Sequence, residues 1–168
     1  MVDERLVPLE SAESNFKLAK EGFIDPLIDK KLLPSSNVHP FIFSPKEKGF
    51  GIVSYGTALK ELGGYFDIVL LSSGEDGHIA AIYPNHHSLK EKATYFITMK
   101  DSPKLPKDRM SASTNLLQRS TVGLLLFIGE GKRAALQKFL DSKVKTEDCP
   151  AKIISTMKKA YVLTDVVC

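Results

Sequence analysis

The sequence predicts a layered α/β domain built on a largely parallel sheet. Two apolar runs of strand length, Phe66 to Leu71 (FDIVLL) and Thr121 to Ile128 (TVGLLLFI), have the unbroken character of strands buried on both faces. Helical and strand-like periods alternate along the chain, with no internal repeat and no low-complexity linker. The chain has 168 residues, 43% of them apolar and 26% charged, which fits one folded domain spanning residues 1–168. A chain of this size buries roughly two thirds of its unfolded surface, so it needs no disulfide or metal to hold its core.

The elements follow in order. Glu13 to Lys31 places Phe16, Leu18, Ala19, Phe23, Leu27 and Ile28 at helical spacing behind the cap candidates Ser11 and Ser14. Pro26 is expected to kink or divide that helix. Val38 to Phe43 is short, β-branched and aromatic between prolines, and reads as a strand. Gly49 to Leu62 reads as a helix that Gly63-Gly64 stops. FDIVLL is the next strand, Thr94 to Met99 another, and TVGLLLFI the second buried one. Glu130 to Leu140 is expected to be helical, Pro150 to Met157 a short helix opened by proline, and Ala160 to Leu163 a final strand.

Composition excludes several classes. No apolar run approaches the roughly 20 residues of a membrane span, and Asp3, Glu4 and Arg5 stand where a signal peptide would be apolar. The expected compartment is the cytoplasm. Cys149 and Cys168 match no zinc or redox spacing and are expected as free thiols. Net charge is +3, divided into −4 over residues 1–89 and +7 over residues 90–168. A basic half calls for an anionic partner, but the basic groups are dispersed and no nucleic-acid-binding motif is present. A small phosphorylated metabolite is left, with neither nucleic acid nor membrane as partner.

In open α/β sheets ligands bind beyond the carboxyl ends of the strands. Two loops there draw the eye. FDIVLL runs into Ser72-Ser73-Gly74-Glu75-Asp76-Gly77-His78, where Gly74 and Gly77 permit a tight turn and Asp76 and His78 form a prospective acid/base pair. The competing reading makes Asp76 a helix cap and His78 an exposed first-turn residue. TVGLLLFI runs into Gly129-Glu130-Gly131-Lys132-Arg133, whose glycine N–H groups and Lys132 suit a phosphate, against the alternative of a solvated surface lysine. Other motifs fail. Gly49-Phe50-Gly51 does not complete GxGxxG, and Gly51 to Gly56 lacks the Lys of a phosphate loop. There is no GxSxG elbow. His86, His87 and His39 lack a carboxylate or cysteine at ligand spacing, so no metal is expected.

The segment from FDIVLL through Gly74-Glu75-Asp76-Gly77-His78-Ile79-Ala80 to Tyr83-Pro84 resembles the central signature of the 6-phosphogluconolactonases. Asp3-Glu4-Arg5 with Val7-Pro8 and Ser14-Asn15 resembles the family's opening block, Ser102-Pro103-Lys104 with Pro106 and Arg109 a later one, and Gly129 to Leu136 its GxxK helix start. The resemblance implies a Rossmann-like three-layer α/β/α fold and hydrolysis of 6-phosphoglucono-δ-lactone in the oxidative pentose phosphate pathway, without metal or organic cofactor. It makes His78 the general base, since imidazole ordinarily titrates near neutral pH, and Asp76 its orienting partner. Gly74 and Gly77 shape the substrate loop, while Arg5, Lys132 and Arg109 bind phosphate or the developing oxyanion.

Family members carry early strands and a Gly-rich phosphate loop ahead of the block that begins here at Asp3. The resemblance therefore covers the C-terminal part of the family domain. A sheet short of those strands exposes an edge, so the chain is expected to be either a homo-oligomer or only marginally stable. Two alternatives accompany the lactonase reading: a sugar-phosphate-binding module without turnover, and an amino-sugar-phosphate deaminase or isomerase. The deaminase signature places a glutamate five residues after the histidine, where this chain has Tyr83.

Overall fold

The computed structural model describes residues 1–166, and its strands form two three-stranded sheets. Cys149 is a buried free cysteine, whereas Cys168 lies outside the described residues. No helix is long and apolar enough to cross a membrane.

The chain opens with strand β1, Asp3–Arg5, and then turns into a helical rod. The rod comprises α1, Asn15–Ala19, a π-helical turn, Lys20–Ile24, and α2, Asp25–Asp29. Ser14 caps it by accepting from the Lys17 N–H, and Pro26 sits in the first turn of α2, directly after the π-helical turn that interrupts the rod. A second cap is less usual. The Glu4 side chain, 1% exposed, accepts from the N–H groups of Asn15 and Phe16 at 2.8 and 2.7 Å and from Ser14 Oγ at 3.0 Å. The helix start thus supplies donors and positive partial charge to that buried side chain.

Helix α3 covers Ile52–Glu61, with Gly63 and Gly64 at positive φ beyond its end, as the sequence requires. The expected strand over Val38 to Phe43 is absent; the segment is irregular, and Phe41 alone of its side chains is driven into the core. Propensity lost there because no strand lies alongside to complete a ladder.

Strand β2, Ile68–Ser72, is followed by β3, Phe96–Met99, and β4, Arg109–Ala112. A short helix α4, Thr114–Gln118, leads into β5, Val122–Phe127. A 3₁₀ turn, Glu130–Lys132, opens α5, Arg133–Leu140, and a 3₁₀ helix, Pro150–Thr156, precedes β6, Lys159–Thr164. Strands β2, β5 and β6 form the expected parallel sheet with β5 in the middle. Strands β1, β4 and β3 form an antiparallel sheet of equal size with β4 in the middle. Of that second sheet, β3 falls within the strand read over Thr94 to Met99, whereas β1, β4 and the helix α4 are not announced by the sequence.

One face of the parallel sheet is packed: Val69, Leu71, Leu125 and Phe127 are at most 2% exposed. Gly123 on that face is forced by the packing, since a Cβ there would lie 2.5 Å from Met157 Sδ and 2.8 Å from Ile154 Cγ1. The other face is open, with Ile68 64% and Leu70 60% exposed, so β2 is not buried on both faces as its composition predicts.

Candidate active site

Strand β2 ends at Ser72, and the chain reverses at once. The Gly77 N–H donates to the Gly74 carbonyl at 3.1 Å, and the Gly74 N–H to the His78 carbonyl at 2.8 Å. A Cβ on Gly74 would fall 2.1 Å from the His78 ring, and Gly77 has φ +95° against Cys149. Both glycines therefore shape the loop behind His78. No helix begins after His78; the chain instead pairs Ile79 with Ile82 around Ala80 at φ +49°. The reading of Asp76 as a helix cap falls with that.

Asp76 does something more local. Its Oδ1 accepts from the His78 N–H at 3.1 Å and lies 2.6 Å from His78 Nδ1. Burial pushes the Asp76 carboxyl up, but the ring and backbone hydrogen bonds from His78, helped by Lys104, outweigh it and hold the group well below the usual carboxylate range. Lys104 Nζ stands 3.9 Å from the other oxygen. An ionised Asp76 on Nδ1 leaves Nε2 as the ring's available lone pair. On its other side the His78 ring meets Tyr83, centroids 4.8 Å apart.

His78 lines a cleft of about 430 Å³ between the two sheets. Asp3, Arg5, Asn15, Ser72, Tyr83, Lys104 and Arg109 line it as well. Arg5 on β1 and Arg109 on β4 are register partners, directly opposite each other. Like charges in that relation repel, and an anion between them turns the cost into attraction. Arg5 gives one nitrogen to the Glu13 carbonyl at 2.6 Å, while its buried Nε has no hydrogen-bond partner among the described residues. Arg109 is anchored by Nε to the Pro106 carbonyl at 3.0 Å and by a terminal nitrogen to Leu105 at 2.8 Å. Burial pushes the Asp3 carboxyl up, and the Arg109 charge pulls against it.

Lys132 does not line this cleft. Its turn lies beside the loop of Glu75, but the glycine N–H groups expected to await a phosphate are not both free: Gly129 already donates to the Asp165 carboxylate at 2.7 Å. Of the residues named from sequence, the structure thus gathers Asp76, His78, Arg5 and Arg109. Sequence reasoning missed Lys104, Asp3, Asn15 and Ser72 as neighbours. Lys104 lies within the Ser102-Pro103-Lys104 block, which was the available signal; Asp3 and Asn15 sit in the opening block beside Arg5.

Comparison with known proteins places the chain as a whole. Residues 1–163 match the family model of glucosamine-6-phosphate isomerases/6-phosphogluconolactonase. The chain belongs to this family. It is 34% identical over 166 residues to a 6-phosphogluconolactonase of Borreliella burgdorferi, covering 99% of this chain and 71% of the relative. It is 33% identical over 160 residues to a probable chloroplastic 6-phosphogluconolactonase of rice, covering 88% of this chain and 48% of the relative. The crystal structure of a 6-phosphogluconolactonase from Thermotoga maritima superposes with a TM-score of 0.80 at 28% identity, over 97% of this chain and 70% of that one. This family member thus has the fold expected of its sequence, and spans about half the length of its rice relative.

Proposed function

We propose that this protein is a hydrolase that opens 6-phosphoglucono-δ-lactone to 6-phosphogluconate. The observation that carries the reading is the facing pair Arg5 and Arg109 in the cleft that His78 lines. A cationic pair at one place and a carboxylate-bound imidazole at another match a substrate with a phosphate at one end and a lactone carbonyl at the other.

In this reading Arg5 and Arg109 hold the phosphate. His78 Nε2 accepts a proton from water as its oxygen attacks C1, while Asp76 steadies the imidazolium through Nδ1. The tetrahedral intermediate collapses by breaking the bond from C1 to the ring oxygen, which takes the proton back from His78. The acid product ionises to carboxylate. Lys104, beside Asp76, offers charge to the developing oxyanion. Delta-lactones are reactive enough that a placed base and a cationic cleft are chemically sufficient.

The choice against an amino-sugar-phosphate deaminase rests on Tyr83. It is buried, its ring lies on His78, and burial pushes its phenol up, so it offers no carboxylate beside the imidazole. Purified protein is expected to hydrolyse the lactone above the spontaneous rate and to release no ammonia from glucosamine 6-phosphate. Ammonia release that survives Tyr83→Phe would overturn the choice.

A further inference from the structure

His78 hangs between anchors in two different sheets. On its N-terminal side the Ser73 N–H donates to the Leu126 carbonyl of β5 at 2.9 Å, which ties the loop to the parallel sheet. On its C-terminal side the chain closes the bridge between Ile79 and Ile82, and the Ala81 N–H inside that turn donates to Ser111 Oγ of β4 at 3.1 Å. Ala80 and Tyr83 of the same stretch line the cleft. Ala81 and Ser111 are both 0% exposed, and Ser111 gives its own proton to the Ala112 carbonyl at 2.9 Å. The Oγ is thereby left as an acceptor for Ala81. A buried N–H deprived of such a partner is costly, so the bond holds the turn in one place.

Ser111 also belongs to the ladder that carries the cations. It stands two residues after Arg109 on β4, and residues two apart on a strand share a face. Its register partner is Asp3, as that of Arg109 is Arg5. One face of one strand therefore carries both a guanidinium of the facing pair and the hydroxyl that grips the chain three residues after His78. A base that works on C1 while the phosphate is held elsewhere must stand at a fixed distance from the cations. A displacement of about 1 Å can cost about 100-fold in rate.

We propose that Ser111 is a positioning residue whose Oγ sets the spacing between His78 and the Arg5–Arg109 pair, and with it the span of sugar phosphate that the cleft accepts. Ser111 does not line the cleft; it acts through Ala81. The inference rests on the lactone-hydrolase reading of the cleft.

The test compares Ser111→Ala, which removes the acceptor, with Ser111→Thr, which keeps it. Ser111→Ala should lose about 10- to 100-fold in kcat for lactone hydrolysis while its affinity for 6-phosphogluconate, set by the cation ladder, stays nearly unchanged. Ser111→Thr should restore kcat. Ser111→Cys, whose sulfur is a weaker acceptor, should fall between the two and serves where the threonine methyl prevents folding, as thermal melting would show. Full kcat in Ser111→Ala would overturn the proposal, and so would a loss shared equally by kcat and product affinity, which would make Ser111 a structural support only. A parent that hydrolyses no lactone would instead refute the reading beneath it, and a second measurement still decides Ser111. Bound 6-phosphogluconate should shift the NMR signal of the His78 Cε1 proton in the parent and in Ser111→Thr but clearly less in Ser111→Ala. An equal shift in all three would overturn the assignment.

Discussion

The parallel sheet of β2, β5 and β6 and the antiparallel sheet of β1, β4 and β3 have three strands each, yet they differ in burial and in what they bring to the cleft. Strand β4 is buried along its whole length, whereas β6 is exposed along its whole length and β2 on one face. The parallel sheet delivers His78 and Asp76 on the loop after its first strand. The antiparallel sheet delivers Arg5 and Arg109 from within its strands. In the proposed reaction, proton transfer hangs on a tight loop held by its own hydrogen bonds, and anion binding on a rigid ladder. The division makes physical sense: an imidazole must be presented at a free loop end, while two opposed cations stay close only if the backbone holds them there.

The largest expected effect falls on the loop. His78→Asn should lower kcat for lactone hydrolysis by about 10²- to 10⁴-fold with the fold intact, as circular dichroism and thermal melting would check. Full activity in that variant would break the assignment of proton transfer to the parallel sheet's loop.

The next falls on packing and contrasts the sheets directly. Met110→Ala, at a fully buried position of β4, should cost about 2–5 kcal/mol of unfolding free energy in urea titration. Ile68→Thr on the open face of β2 should stay within about 0.5 kcal/mol in this 168-residue chain. Equal losses would mean that the open face is covered in solution.

Arg5→Met removes one cation from the ladder. Affinity for 6-phosphogluconate should fall by roughly 10- to 150-fold, equivalent to about 1.5–3 kcal/mol for one charge-assisted contact. A rise in KM with kcat kept would place the loss in binding, and a fall in kcat alone would move Arg5 to the chemistry.

The smallest effect is one of pH. Asp76 has a folded pKa held below its unfolded value, so its contribution to stability is fully present above the unfolded value of about 3.9 and is lost as pH falls through the folded one. The stability difference between the parent and Asp76→Asn should therefore be flat from about pH 5 to 8 and shrink only in strong acid. A difference that changes around neutral pH would show that another group governs the loop.

Much of this protein was legible in its sequence, and the reason lies in what is local. FDIVLL and TVGLLLFI announce strands because a nearly continuous apolar run of that length has few other uses, and the Ser14 cap, the Gly63-Gly64 stop and the Gly74 to His78 turn depend on residues within a few positions of one another. The pairing of Asp76 with His78 belongs with them, since only Gly77 separates the two residues. Tertiary structure decided the rest. Strands β1 and β4 are three and four residues long, too short to display a period, and exist because each completes the other's ladder. The opposition of Arg5 to Arg109 follows from that register, across more than a hundred residues, whereas Glu4 meets its helix start only ten to twelve residues along the chain. Like that opposition, the bond from Ala81 to Ser111 spans 30 residues and exists only in the packed chain. A side chain's neighbours along the chain determine its backbone, but its partners across the fold determine its charge environment, and only the packed chain brings those partners within reach.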